Sequence, residues 1–140
     1  MRLKIGICGV GGMGRGFAHL FGLHPDVDTL ALADPDVEAL QETRRDADVL
    51  HAVESMDQLL ELDVDSIGVY TPPWTHAELA IRALNAGKNV ISACPAAVTM
   101  DEMRDLLEAV ERTGRIYMLC ETSYYYPAAM FARQAWAEGR

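Results

Sequence analysis

The sequence predicts an α/β domain, a doubly wound parallel sheet of six strands with helices on both faces. Two observations predict it. Six short, apolar, β-rich runs alternate along the 140 residues with stretches of helical period, and the first run passes directly into a glycine-rich turn. Strands separated by helices pair in parallel through right-handed crossovers, which lay helices against both faces of the sheet. No repeat, linker or low-complexity tract breaks the alternation, and the length suits one domain spanning residues 1–140. The expected strand order is 3-2-1-4-5-6.

Taken in order, Leu3 to Cys8 is a strand by its Leu3, Ile5, Ile7 alternation. Met13, Phe17, Leu20 and Phe21 then fall on one face of a helix. Val27 to Ala33 is a second strand, and Asp36 to Asp46 a weaker helix carrying Val37, Leu40 and Ala47. A short third strand lies near Leu50 to Val53. Three helix starts follow the capping-box pattern, a hydroxyl residue with Glu or Gln three positions later: Ser55…Gln58, Thr75…Glu78 and Thr99…Glu102. Ala77, Ala80, Ile81 and Leu84 make the apolar stripe behind the second start, and Met103, Leu106, Leu107 and Val110 behind the third. Gly87 and Gly114 end these two helices. Ser66 to Thr71, Asn89 to Ala93 and Ile116 to Glu121 supply the remaining strands, and a last helix runs from Pro127 to about Glu138.

Composition excludes several classes. Half of the residues are hydrophobic and 24% are charged, as in a folded globular chain. Twelve basic against 21 acidic residues leave a net charge of -9, which argues against nucleic acid or an anionic membrane as partner. No apolar run approaches the ~18 residues of a membrane span. Residues Met1 to Ile5 show no secretory leader, and three cysteines without framework spacing read as reduced thiols, so the expected location is the cytoplasm. Without C-x-x-C or H-x-x-x-H spacing, no metal site is expected.

The chemistry is concentrated after the first strand. Gly9-Val10-Gly11-Gly12-Met13-Gly14 is G-x-G-x-x-G at a strand-to-helix junction. The first glycine makes the tight turn, the second lets backbone approach a pyrophosphate, and the third packs helix against strand. Free N–H groups and the helix dipole then hold the phosphate charge. Asp34 ends the second strand, 20 residues past Gly14, where a carboxylate accepts from both hydroxyls of an adenosine ribose and repels a 2′-phosphate. The expected cofactor is therefore NAD, with NADP disfavoured. Two plainer alternatives stand beside this: Asp34 caps the next helix, or the loop serves S-adenosylmethionine in a methyltransferase.

Further motifs carry a resemblance. Thr71-Pro72-Pro73-Trp74-Thr75-His76 and Ala83-Leu84-Asn85-Ala86-Gly87-Lys88, following the glycine loop and Asp34, resemble the N-terminal domain of the Gfo/Idh/MocA oxidoreductases (glucose–fructose oxidoreductase, inositol dehydrogenase and rhizopine catabolism proteins). The likeness extends through Tyr126-Pro127 to the end of the chain. It implies a Rossmann-type domain and hydride transfer between a nicotinamide and a hydroxyl-bearing carbon, often on a sugar or cyclitol. It also implies that Thr71, Pro72, Pro73 and Trp74 run along the nicotinamide half of the cofactor. His76 belongs to the same motif and, with Ala93 and Cys94 after the fifth strand and Val10 and Met13 in the glycine loop, is counted among the expected cofactor contacts; from the residues alone it caps and packs the first turn of its helix.

One departure matters. Where the family reads Glu-Lys-Pro after the fifth strand, this chain reads Ala93-Cys94-Pro95. The resemblance places that lysine beside nicotinamide and substrate, and Cys94 supplies no cation. The catalytic group is therefore open: another acid–base group, a reactive thiolate, or a neutral thiol lining the pocket. A cis Cys94–Pro95 bond is expected. Glu121 and Tyr124 to Tyr126 could line the substrate side, with interface packing as the plainer role for the tyrosines, while His19, His24 and His51 have no partners at ligand spacing. The family's second domain, with its catalytic histidine, substrate pocket and oligomer contacts, has no counterpart in these residues. The chain is thus expected to be a fragment of a homo-oligomeric enzyme acting on a small sugar-like or polyol substrate, with an apolar surface around its sixth strand. A dinucleotide-binding sensor or scaffold that has lost the lysine chemistry is the alternative.

Overall fold

A computed structural model describes residues 2–140. Among the described residues six strands form one parallel sheet: β1 (Leu3–Cys8), β2 (Val27–Ala33), β3 (His51–Val53), β4 (Ser66–Val69), β5 (Asn89–Ser92) and β6 (Tyr117–Leu119). Their order is β3-β2-β1-β4-β5-β6, so chain direction across the sheet reverses between β1 and β4. Five helices connect them, α1 (Gly12–Leu23), α2 (Val37–Asp46), α3 (Met56–Glu61), α4 (His76–Asn85) and α5 (Met100–Thr113), and α6 (Pro127–Ala137) follows β6.

The sheet is buried on both faces, which explains why its central strands are continuously apolar. Ile5, Ile7, Leu30 and Leu32 pack towards Ala18, Phe17 and Phe21 of α1 and Leu40 of α2. Ala31, Ala33, Ile67, Val69 and Val90 face Leu59 of α3, Ala80 and Leu84 of α4, and Leu106 of α5. The two helical layers make the fold doubly wound.

Several expectations need correction in detail. The fourth, fifth and sixth strands stop at Val69, Ser92 and Leu119, short of Thr71, Ala93 and Glu121. The chain continues in register briefly, with Tyr70 N–H donating to Cys8 O and Ala93 N–H to Val69 O, then turns out of the sheet. On α1 the buried residues are Gly14 and Ala18, while Met13 and Leu20 are 57% and 60% exposed. The small residues bring this helix close to the sheet and displace the larger side chains outward. On α5 Leu106 and Ala109 are buried, while Met103 and Leu107 are exposed.

The capping boxes also divide. At Thr99 both halves form. At Ser55 the hydroxyl accepts from Gln58 N–H, while Gln58 Oε1 accepts from the Glu54 N–H and the Ser55 hydroxyl. At Thr75 no cap forms, because a single 3₁₀ turn (Pro73–Thr75) precedes α4 and leaves Thr75 at φ -106°, ψ -9° instead of extended. Its hydroxyl donates to Pro72 O at 2.7 Å and contacts the Thr71 hydroxyl at 2.6 Å.

At the far edge, β6 and α6 form an apolar surface. None of α6 is buried, and Met118, Met130, Phe131 and Trp136 are all at least half exposed. A hollow of about 1150 Å³ there is lined solely by α6 residues.

Candidate functional site: a cleft at the glycine loop

The point where strand order reverses lies between the carboxyl ends of β1 and β4, and a cleft of about 540 Å³ opens there. Ligands of open α/β sheets gather in such a crevice. Gly9, Gly11, Asp34, Thr71 and Pro72 line it, as do Cys8, Glu54, Ser55, Thr75 and Leu79. Glu54 and Ser55 escaped the sequence reading; their signal was their position at the carboxyl end of β3, beside Asp34.

The glycines differ in what they permit. Gly9 has φ +89°, and a Cβ there would lie 2.8 Å from the Tyr70 carbonyl and Thr71 N. At Gly14 a Cβ would sit 1.9 Å from Gly9 O, so α1 and the turn are in backbone contact. Gly11 and Gly12 meet nothing within 4 Å. They face open space, as backbone must where a pyrophosphate approaches. Asp36, Ser55 and Thr99 cap α2, α3 and α5, whereas no side chain caps α1 and no acidic residue occupies its first turn. The N–H groups of α1 thus remain available to an anion.

Asp34 is partly buried. Its Oδ2 accepts Val10 N–H at 2.8 Å, and its Oδ1 accepts Asp36 N–H at 2.9 Å. Asp36 caps α2 through Glu38 and Ala39 N–H, which removes the capping alternative for Asp34. Each Asp34 oxygen accepts one backbone donor and keeps a lone pair for a ribose hydroxyl. The glycine turn and Asp34 therefore fit the adenosine and pyrophosphate part of a dinucleotide.

The remaining expected contacts lie outside the lining of this cleft. Val10 and Ala93 are buried, as is Gly14. Gly12 is exposed beside Gly11 at the start of α1, Met13, Pro73 and Cys94 are exposed outside the cleft, and Trp74 is 69% exposed. His76 is 1% exposed, so it touches no ligand. Both its nitrogens are engaged, Nδ1 with Pro95 O and Nε2 with Thr71 O, each at 2.7 Å.

Cys94 precedes the expected cis peptide bond to Pro95. Its Sγ donates to Glu121 Oε2 at 3.3 Å, beside a second hollow of about 710 Å³ lined by Glu121, Cys120, Tyr124 and Tyr125. Desolvation and the Glu121 carboxylate push the Cys94 thiol up, against thiolate chemistry. The Ser123 hydroxyl, then its N–H, then the Cys94 thiol hold Glu121 below the usual carboxylate range. Tyr70 stacks on Phe17 at 4.6 Å between centroids, and its hydroxyl is buried without a hydrogen-bond partner among the described residues. Burial, then the charge Cys120 would carry, pushes that phenol up. Among the described residues no group of three or more His, Cys, Asp or Glu could hold a metal, and no helix is long and apolar enough to cross a membrane.

Sheet order, glycine turn and strand-end carboxylate together define a dinucleotide-binding domain of the Rossmann type. Residues 3–120 match the oxidoreductase family with an NAD-binding Rossmann fold, and the chain belongs to this Gfo/Idh/MocA family. It is 34% identical over 136 residues to glycosyl hydrolase family 109 protein 2 of Shewanella sp. (strain ANA-3), covering 88% of this chain and 29% of that protein. It is 25% identical to 2,7-anhydro-N-acetylneuraminate hydratase of Escherichia coli (strain K12), covering 98% and 36%. The fold superposes with TM-score 0.89 on scyllo-inositol dehydrogenase of Lactobacillus casei with bound NAD(H) and scyllo-inositol, at 21% identity, covering 99% of this chain and 42% of that one. The chain therefore spans about a third of the length of these curated relatives.

Proposed function

We propose that this chain is the NAD-binding part of an enzyme that moves hydride between a nicotinamide and a hydroxyl-bearing carbon of a sugar, cyclitol or related small molecule. Asp34 carries the cofactor assignment: its two oxygens, fixed by Val10 and Asp36 N–H groups, suit a ribose diol and repel a 2′-phosphate, favouring NAD over NADP. A bound nicotinamide would supply the group that accepts or gives up the hydride. This chain's residues hold the pyrophosphate at Gly11, Gly12 and the start of α1, and present Thr71 and Pro72 towards the other half.

Carbohydrate chemistry is supported by the company the chain keeps: a glycosyl hydrolase, a sialic-acid-type hydratase and an inositol dehydrogenase. Substrate selection, the catalytic acid–base group and a homo-oligomeric interface are assigned to residues of a longer, cytoplasmic protein. The neutral thiol at Cys94 means that this position contributes no cation to the reaction.

The relatives' names also favour a second reading. Hydrolysis and hydration end without net oxidation, so a sugar-directed reaction in which no NADH accumulates fits the same domain.

Titration with NADH, NADPH and S-adenosylmethionine, followed by Trp74 and Trp136 fluorescence, tests the cofactor reading. Saturable binding of NADH, weaker for NADPH and absent for S-adenosylmethionine, is expected; preference for S-adenosylmethionine overturns it. A product screen on sugars and polyols in the full-length protein, by mass as well as NADH absorbance, then separates dehydrogenase from redox-neutral chemistry.

A further inference from the structure

We infer that His76 is a positioning residue for the nicotinamide end of the cleft, an inference that rests on the dinucleotide reading above. The imidazole is 1% exposed and cannot reach a ligand. It joins two separate connections: Thr71 lies in the loop after β4 and Pro95 in the loop after β5, and each offers its carbonyl to one ring nitrogen at 2.7 Å. Through either nitrogen the ring donates to one of these carbonyls and packs its other edge against the second.

The position of this bridge gives it a task. β4 and β5 pair from Ser66↔Asn89 to Val69↔Ser92, and the bond from Ala93 N–H to Val69 O closes the ladder. Beyond it the two chains leave the sheet, and His76 ties them together again. Within the first loop, the Thr75 N–H and hydroxyl both bond Pro72 O, and the Thr71 and Thr75 hydroxyls meet. These contacts make the turn stiff in itself but do not fix its distance from the β5 loop. The His76 ring does.

In a doubly wound sheet each half receives one mononucleotide, with the second beyond the reversal point, above β4 to β6. The adenosine half depends on Gly9, Gly11 and Asp34, from β1 and β2. The loops after β4 and β5 serve the other half, and sites of this kind work only when their walls are held to about 0.5 Å. His76 therefore sets the spacing of the nicotinamide walls and reaches the adenosine side only through the Thr71 carbonyl.

The test compares NADH with ADP-ribose, which keeps the adenosine, pyrophosphate and second ribose but lacks nicotinamide. Affinities are measured for this chain and for His76→Phe and His76→Gln. The phenylalanine keeps a flat ring and removes both nitrogens, whereas glutamine retains two amide hydrogens. The expected result for His76→Phe is NADH weakened about tenfold with ADP-ribose changed less than about twofold, as for the loss of one or two hydrogen bonds at one end of a site. His76→Gln should recover part of the difference.

Parallel weakening of both ligands, or no change in either, overturns the inference, as does a native chain that binds the two equally. If His76→Phe does not fold, the NADH to ADP-ribose ratio of His76→Gln and His76→Asn decides by the same criterion. A native chain that binds neither ligand instead overturns the dinucleotide reading, and the inference with it.

Discussion

Asp34 and Val10 are joined across the mouth of the cleft: the carboxylate at the end of β2 accepts the N–H of the second loop residue at 2.8 Å. One side chain thus shapes the glycine turn and keeps lone pairs free for a ligand. Binding and loop order are therefore coupled at this position, and substitutions there act on both.

Replacing Asp34 by Asn keeps the size of the group and removes its charge. Loss of a charged acceptor at such contacts costs about 1.5–3 kcal/mol, so NADH affinity should fall about tenfold to a hundredfold. NADPH affinity should fall less, because repulsion of its 2′-phosphate is relieved. Calorimetric titration of both nucleotides checks the ratio; equal losses would contradict the ribose contact.

Gly11→Ala and Gly14→Ala should separate binding from folding. A Cβ on Gly11 meets nothing within 4 Å, so the thermal midpoint should stay near the native value while NADH binding drops at least tenfold. A Cβ on Gly14 would lie 1.9 Å from Gly9 O, and forcing the backbone apart should cost about 1–3 kcal/mol of stability. Chemical denaturation alongside NADH titration reads both effects.

Tyr70→Phe removes a buried hydroxyl that has no partner among the described residues, while keeping the stack on Phe17. Stability should be unchanged or raised, by up to about 1 kcal/mol. Denaturant midpoints measure it, and a clear loss would reveal a partner for the hydroxyl.

The thiols should titrate late. Cys94 is exposed, yet its thiol is pushed above the ordinary value of 9.0, and burial pushes Cys8 up to about 11. Because only the thiolate is nucleophilic, Cys94 alkylation by iodoacetamide should be slow at pH 7 and accelerate as pH rises past 9. Cys8 should react only on unfolding. Glu121→Gln removes the negative charge that favours the neutral thiol and supplies an amide that can donate to a thiolate, so Cys94 should react faster at neutral pH. Site-resolved mass spectrometry follows each cysteine; a Cys94 already fast at pH 7 would restore the reactive-thiolate option.

The fold was legible because its signals are local and agree. Alternating apolar runs marked β1 and β2 to the residue, and the glycine turn and Asp34 lay at spacings the βαβ unit imposes. Less legible were the elements whose limits depend on neighbours. Thr75…Glu78 reads like Thr99…Glu102, yet only the latter caps its helix, because the Pro72–Pro73 turn redirects the Thr75 hydroxyl. Helix faces shifted for a similar reason: hydrophobicity alone favoured Met13 and Leu20, whereas close packing on the sheet selected Gly14 and Ala18.

The sequence by itself determined the fold class, the strand order and the placing of the glycine turn and Asp34 at one end of the sheet, since these rest on periodicity and on short, fixed spacings. Tertiary structure alone decided what His76, Glu54 and Glu121 do. His76 stands beside Thr71 in sequence but meets Pro95 only once β4 and β5 pair. Glu121 faces Cys94 because β6 lies against β5. Such contacts join residues 19 to 27 positions apart, and their geometry is fixed by strand register and loop exit, which no local pattern encodes.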